Sequence, residues 1–148
     1  MSEQEKFLQA AITAAQYALK KDEVPIGAVI VRDGRIIAKG FNLKESKRDP
    51  LAHAEIIAIR KAAKKLKSWR LCGCTLYVTL EPCPMCAGAI INSRIDEVVF
   101  GAYDPKAGAF GSVYDLAQGR LNHKPRITGG VLQQECSKLL TDYFQNKR

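Results

Sequence analysis

The tightest constraint on this chain is a pair of short motifs thirty residues apart, His53-Ala54-Glu55 and Pro82-Cys83-Pro84-Met85-Cys86. Two cysteines at i and i+3 at a helix start put both sulfurs on one side, where free backbone N–H groups favour thiolate over thiol. That donor set suits zinc, and the imidazole of His53 is the remaining kind of ligand such a site uses. Three protein ligands leave the fourth tetrahedral position open for water, the arrangement of a catalytic ion. Glu55 is then the candidate base for the water's proton. It follows His53 by two residues, about 200° around an ideal helix, so both can address one ion only across a helix end. A fold that uses these residues together has to bring two helix N-termini to a common point. The competing arrangement is a closed zinc staple in which Cys72, Cys74 or Glu55 completes four ligands and no chemistry occurs. C-x-x-C is common in such staples, whereas H-x-E followed by P-C-x-x-C is a much rarer combination.

The intervening sequence can supply that fold. Ser2 and Glu5 fit a capping box, and Leu8, Ile12, Ala15 and Leu19 recur at helical spacing, which predicts an amphipathic helix over about 3–21. Two β-rich runs, 26–32 and 35–40, flank Asp33-Gly34, a strong two-residue hairpin signal. A polar loop over 41–52 contains Arg48-Asp49-Pro50 and leads into a helical pattern over 54–67, so His53 and Glu55 fall at its N-terminus. The run 74–80 reads as a strand ended by Glu81-Pro82, and a short helix follows over roughly 84–93, which puts Cys83 and Cys86 at a strand-to-helix corner. A buried-looking strand at 97–102 is followed by a glycine-rich loop, 103–112, a short helical piece and a last strand near 126–130. Val131, Cys136, Leu139, Leu140 and Tyr143 mark an amphipathic C-terminal helix. This order calls for an α/β fold with helices on both faces of a central mixed sheet.

Size and charge narrow the function. The 148 residues suit one domain, 1–148, and leave no room for two cores with a linker. Lys and Arg number 23 against 15 Asp and Glu, and this net charge of +8 favours a polyanionic partner such as nucleic acid. No segment has the run of about 20 apolar residues a membrane helix needs, and the N-terminus, with Glu3 and Glu5, lacks the form of an export signal. Five cysteines, an odd number, suit a reducing compartment, so a cytoplasmic location is expected. Cys72, Cys74 and Cys136 read as buried small hydrophobes, the first two on one face of a strand, and His123 as a loop or surface histidine.

The combined motifs are similar to the nucleobase deaminases, whose zinc signature is H-x-E followed by P-C-x-x-C. Glu23-Val24-Pro25-Ile26-Gly27-Ala28-Val29, Phe41-Asn42, Ala52-His53-Ala54-Glu55, Thr75-Leu76-Tyr77-Val78-Thr79-Leu80-Glu81-Pro82-Cys83 and Met85-Cys86-Ala87-Gly88-Ala89-Ile90 extend the likeness. Together they closely resemble the bacterial tRNA-specific adenosine deaminases of the cytidine/deoxycytidylate deaminase superfamily. The resemblance implies a three-layer α/β/α fold on a five-stranded mixed sheet. It also implies one zinc ion per chain, conversion of adenosine to inosine at the wobble position of an arginine tRNA anticodon, and a homodimer whose two subunits both contact the anticodon loop. Carried over by motif, His53, Cys83 and Cys86 would hold zinc and Glu55 would shuttle protons. Asn42 and the Ala54 N–H would hold the flipped nucleotide, while Asp104, Lys106 and Phe144 would meet the RNA. Lys44, Lys47 and Arg48 are further candidate phosphate contacts. The same zinc motif would also serve a deaminase of free bases or nucleosides, of guanine or cytosine type, and a zinc-stapled RNA-binding module is a more distant alternative.

Overall fold

The computed structural model describes residues 1–147. Its organising element is a hairpin, β1 (Gly27–Arg32) and β2 (Arg35–Phe41), turned by Asp33 and Gly34 at φ of 51° and 75°. Positive φ at both turn residues is the primed geometry that matches the natural twist of two strands. To this hairpin are added β3 (Cys74–Leu80), β4 (Glu97–Ala102) and β5 (Arg126–Thr128), giving the order β2-β1-β3-β4-β5. β1 pairs antiparallel with β2 and β3, whereas β3, β4 and β5 run parallel, so the sheet is mixed as expected.

Alternation along the strands assigns the helices to the two faces. Val29 and Val31 of β1, Tyr77 of β3 and Val99 of β4 point to one side, where α1 (Glu3–Lys20) covers them with Phe7, Leu8 and Ala11. The C-terminal helix α4 (Gln133–Asn146) joins the same layer through Cys136, packed with Ile12 and Ala102. Ala28, Ile30, Leu76, Val78, Val98 and Phe100 point to the other side, against α2 (Ala54–Leu66) and α3 (Pro84–Asn92). The result is the α/β/α arrangement implied by the resemblance. The Ser2–Glu5 capping box that starts α1 is complete, with Glu5 N donating to Ser2 Oγ at 3.1 Å and Ser2 N to Glu5 Oε1 at 3.0 Å.

Three local expectations shift. β5 ends at Thr128 rather than near 130, and α4 begins at Gln133, after Leu132 takes up a left-handed conformation at φ 51°. Cys72 is exposed, unlike the buried Cys74. Strand pairing starts only at Cys74, after a turn with Gly73 at φ 81°, so Cys72 precedes the strand instead of sharing its inner face. His123, by contrast, lies in a loop as expected, half-buried, and anchors it through Nε2 to the Ile95 carbonyl oxygen at 2.6 Å.

Candidate active site

His53 and Cys83 occupy equivalent places on two helices. Each is the N-cap residue, with extended backbone, of α2 and α3 respectively, and Pro84 at the first helical position of α3 fits a place where no N–H bond is lost. Cys86 lies one turn into α3, and its sulfur is buried. The ligand atoms of His53, Cys83 and Cys86 all fall within 4.8 Å of one another. His53 Nδ1 is 3.7 Å from Cys83 Sγ and 3.5 Å from Cys86 Sγ. Zn–N and Zn–S bonds of about 2.0–2.1 Å and 2.3 Å at a tetrahedral angle require an N···S edge of about 3.6 Å. Both N···S edges therefore already lie at the spacing zinc demands. Cys72 is exposed and Cys74 is absent from this group, so neither completes a closed staple from where it stands.

The electrostatics of the cluster follow from its crowding. A hydrogen bond from Cys86, followed by that from His53, brings the Cys83 thiol down to about 4, against the opposing effect of burial. Cys86 is pushed far up, because it is the donor to Cys83 and is itself buried beside Glu55. In the absence of metal, the two sulfurs thus share one proton, while a divalent cation stabilises both thiolates. The Cys83 hydrogen bond raises His53 above its ordinary value, over the opposing effect of burial. Glu55 is 4% exposed, and burial is the main cause of its rise to about 7, with Cys83 adding to it and His53 partly offsetting it. A cation at the three ligands would draw it down again.

These groups open on a cavity of about 250 Å³ lined by Asn42, His53, Ala54, Glu55, Cys83 and Asp104, with Val24, Ile26, Leu80 and Ala107 as its apolar wall. This volume falls just below the roughly 300–1,000 Å³ of drug-sized sites, which suits one base better than a dinucleotide. Asn42 is buried, receives Lys44 N on Oδ1 at 3.2 Å and donates from Nδ2 to the Val24 carbonyl oxygen at 3.4 Å. Ala54 is the first residue of α2, so its N–H has no acceptor within the helix. Asp104 joins the wall from the loop after β4. Lys106 and Phe144 are exposed and are not among the residues that line the cavity. Phe144 packs edge-on against Tyr143, with ring centroids 5.2 Å apart. Glu81, a buried residue that also lines the cavity, was not anticipated from the sequence as part of the site. Its one visible signal was a carboxylate closing an otherwise apolar strand just before the Pro82-Cys83 corner.

Comparison with known proteins agrees with this geometry. Residues 1–102 match the model of the cytidine and deoxycytidylate deaminase zinc-binding region. The chain is 50% identical over 149 aligned residues to the tRNA-specific adenosine deaminase of Bacillus subtilis (strain 168), covering 100% of this chain and 92% of that protein. It is also 50% identical to the tRNA-specific adenosine deaminase of Haemophilus influenzae, over 97% of this chain and 84% of that one. A solved structure from studies of A-to-I editing by tRNA:A34 deaminases superposes with a TM-score of 0.87 at 46% identity, covering 91% of this chain and 99% of that one. An Nδ1 and two sulfurs at zinc spacing, on the expected three-layer fold, are thus what its family's matching zinc-binding region would produce: the chain belongs to the cytidine and deoxycytidylate deaminases.

Proposed function

We propose that the chain is a single zinc-dependent deaminase domain, 1–148, that hydrolyses adenosine to inosine at the wobble position of a tRNA anticodon, that of arginine tRNA by resemblance. The observation that carries this reading is Glu55, buried beside three zinc-spaced donors in a one-base cavity. Half-identity to tRNA-specific adenosine deaminases along the whole chain favours adenosine in tRNA over a free base. The net charge of +8 suits a polyanionic substrate.

His53, Cys83 and Cys86 hold the metal. Zinc there supplies the Lewis acidity that lets water act as a nucleophile near neutral pH. Glu55 accepts a proton from the attacking water and passes it to adenine N1 as C6 becomes tetrahedral, then takes the proton of the new C6 hydroxyl and delivers it to the amine, so that C6=O forms as the C6–N bond breaks. Water is consumed and ammonia released, with no redox change. The apolar wall of Val24, Ile26 and Leu80 keeps bulk water off the ring, while Asn42 and the Ala54 N–H orient the nucleoside. A duplex hides C6, whereas an anticodon loop can splay the base into the cavity. Asp104, Lys106 and Phe144 contact the RNA around that base.

The enzyme is a cytoplasmic homodimer. Support for pairing comes from the outer face of α2 and α3, where Ile56, Ile59, Met85 and Ala89 form an apolar groove flanked by Leu51 and Trp69, 45% and 53% exposed. Among the described residues no helix is long and apolar enough to cross a membrane. The test is to incubate zinc-loaded protein with a tRNA pool and search anticodon fragments by mass spectrometry for the one-dalton change from adenosine to inosine. Wild type should produce it and Glu55→Ala should not, although that variant keeps its zinc. A zinc-loaded wild type that forms no inosine overturns the reading.

A further inference from the structure

Glu81 is a buried charge that the proposed chemistry does not use. Only 1% exposed, it directly follows β3, and its own N–H donates to the Ala102 carbonyl oxygen at 2.8 Å. Its carboxylate accepts four hydrogen bonds. Oε1 receives Asp104 N at 3.0 Å and the Ser112 hydroxyl, and Oε2 receives Phe110 N and Ser112 N, each at 3.1 Å. All four donors belong to one loop, 104–112, and the same loop forms a wall of the substrate cavity through Asp104 and Ala107. Asp104 passes the constraint on, since its Oδ1 accepts from Lys106 N at 3.0 Å and Ala107 N at 3.3 Å. Pro82, between Glu81 and Cys83, holds the loop as well by accepting Ala109 N at 2.9 Å. The contact is close: a Cβ on Gly108 would stand 2.6 Å from the Asp104 carbonyl oxygen and would collide with the Glu81 carboxylate.

An ionised carboxylate is the one side chain that offers about four acceptor sites and no donor. Its use here ties the loop to the strand end that leads directly into Cys83. We propose that Glu81 is a positioning residue for substrate binding, holding the 104–112 loop at the distance from the His53–Cys83–Cys86 cluster at which Asp104 and Ala107 close the cavity around one base. This rests on the reading of the cavity as the substrate site.

Glu81→Gln makes a defined lesion. The Ser112 hydroxyl can reverse and accept from the new amide, but the Asp104 N–H cannot, so the amide takes the Oε1 side and Asp104 loses its anchor. Gly108→Ala attacks the same contact from the loop and leaves the carboxylate chemically unchanged. Two readouts apply to each variant after zinc content and cooperative unfolding have been measured. The first is the rate of tryptic cleavage after Lys106, located by mass spectrometry, which does not depend on the substrate's identity. The second is the split between KM and kcat on an anticodon stem-loop RNA. Both variants should retain zinc, be cut after Lys106 roughly tenfold faster, and show a KM raised by roughly tenfold or more with kcat changed less, as expected for loss of a hydrogen bond to a charged group. Ser112→Ala removes only the hydroxyl donor and leaves all three backbone bonds to the carboxylate, so it should move both readouts less than Glu81→Gln does. Wild-type cleavage and wild-type KM in Glu81→Gln overturn the proposal. So does loss of zinc, or a fall in kcat at constant KM, which would make Glu81 a support of the metal corner instead. If Glu81→Gln does not fold, Gly108→Ala decides by the same criteria. A wild type that makes no inosine sinks the functional reading, and the cleavage rates still report whether Glu81 holds the loop.

Discussion

Gly40→Ala tests how the sheet aims the catalytic helix. Gly40 lies on β2 beneath the start of α2, and a Cβ there would stand 2.9 Å from Ala58 N and 3.2 Å from Ile57 Cβ, with the Ala54 carbonyl oxygen closer still. Two of these are helix backbone atoms, which cannot swing aside as a side-chain tip can. The first two turns of α2 must then retreat as a body, and ordinary contact distances of about 3.5 Å set that retreat at roughly 0.5–1 Å. Ala54 sits between His53 and Glu55, so both move with it. Zinc sites tolerate ligand displacements of about 0.2 Å, and a misplacement of about 1 Å at a reacting centre costs on the order of 100-fold in rate. Overpacking itself should destabilise the fold by about 1–3 kcal/mol. Expected together are a loss of that size in urea unfolding, weaker zinc retention in competition with a chromophoric chelator, and roughly 100-fold slower inosine formation. Gly40→Ala with wild-type zinc affinity and a rate within about twofold of wild type would refute the reasoning that the seat of α2 on Gly40 sets the site.

Cys83→Ala should purify with almost no zinc and no deaminase activity, measured by metal analysis, because two donors at the edge of a cavity do not retain the ion; near-stoichiometric zinc would contradict the ligand assignment. Glu23, 1% exposed, accepts Glu45 N at 3.2 Å and Ser46 N at 2.6 Å. Burial opposes its charge, yet the hydrogen bonds from Ser46 and Glu45 outweigh it and hold its pKa below the ordinary value of 4.5. A depressed folded pKa stabilises fully above the unfolded value and is lost as pH falls through the folded one, so Glu23→Gln should cost about 1–3 kcal/mol at pH 7 and progressively less in acid below about pH 4. Urea unfolding across pH should show this convergence, and a constant gap would count against it. A Cβ on Gly88 meets nothing within 4 Å, on the outer side of α3 beside the Met85–Ala89 groove. Gly88→Arg should leave the monomer folded but halve the mass seen by sedimentation, and an unchanged dimer would place the interface elsewhere.

The residues that meet at the candidate site were legible because their relations are local. His53 to Glu55 and Cys83 to Cys86 are spacings within one helical turn, and Pro82, Pro84 and the polar 41–52 loop mark the helix starts beside them. What was not legible is non-local. Glu81 finds its partners 23, 29 and 31 residues away, and until those partners are in place it reads only as the polar end of a strand. The close seating of α2 on Gly40 is likewise invisible in a β-rich run where glycine looks like a weak strand residue. Cys72 misled because period-2 alternation extends past the point where strand pairing begins.

The sheet explains why such separate segments meet. β2 ends at Phe41, paired with Gly27 at the start of β1, while β3 and β4 run parallel and end together at Leu80 and Ala102. One end of the sheet therefore collects the segment before β1, with Val24 and Ile26, the exit of β2, with Asn42, and the exits of β3 and β4, with Cys83 and Asp104. In open α/β sheets the crevice beyond the carboxyl ends of the strands is where ligands bind. Here α2 and α3 start at that same end and present their N-termini, so partial positive charge faces the two thiolates from both helices. Moving either helix start by one residue would rotate its N-cap ligand about 100° away from the cluster. The register of two helix beginnings against one sheet end, more than any single donor, is thus what makes three zinc-spaced atoms and a buried carboxylate into one site.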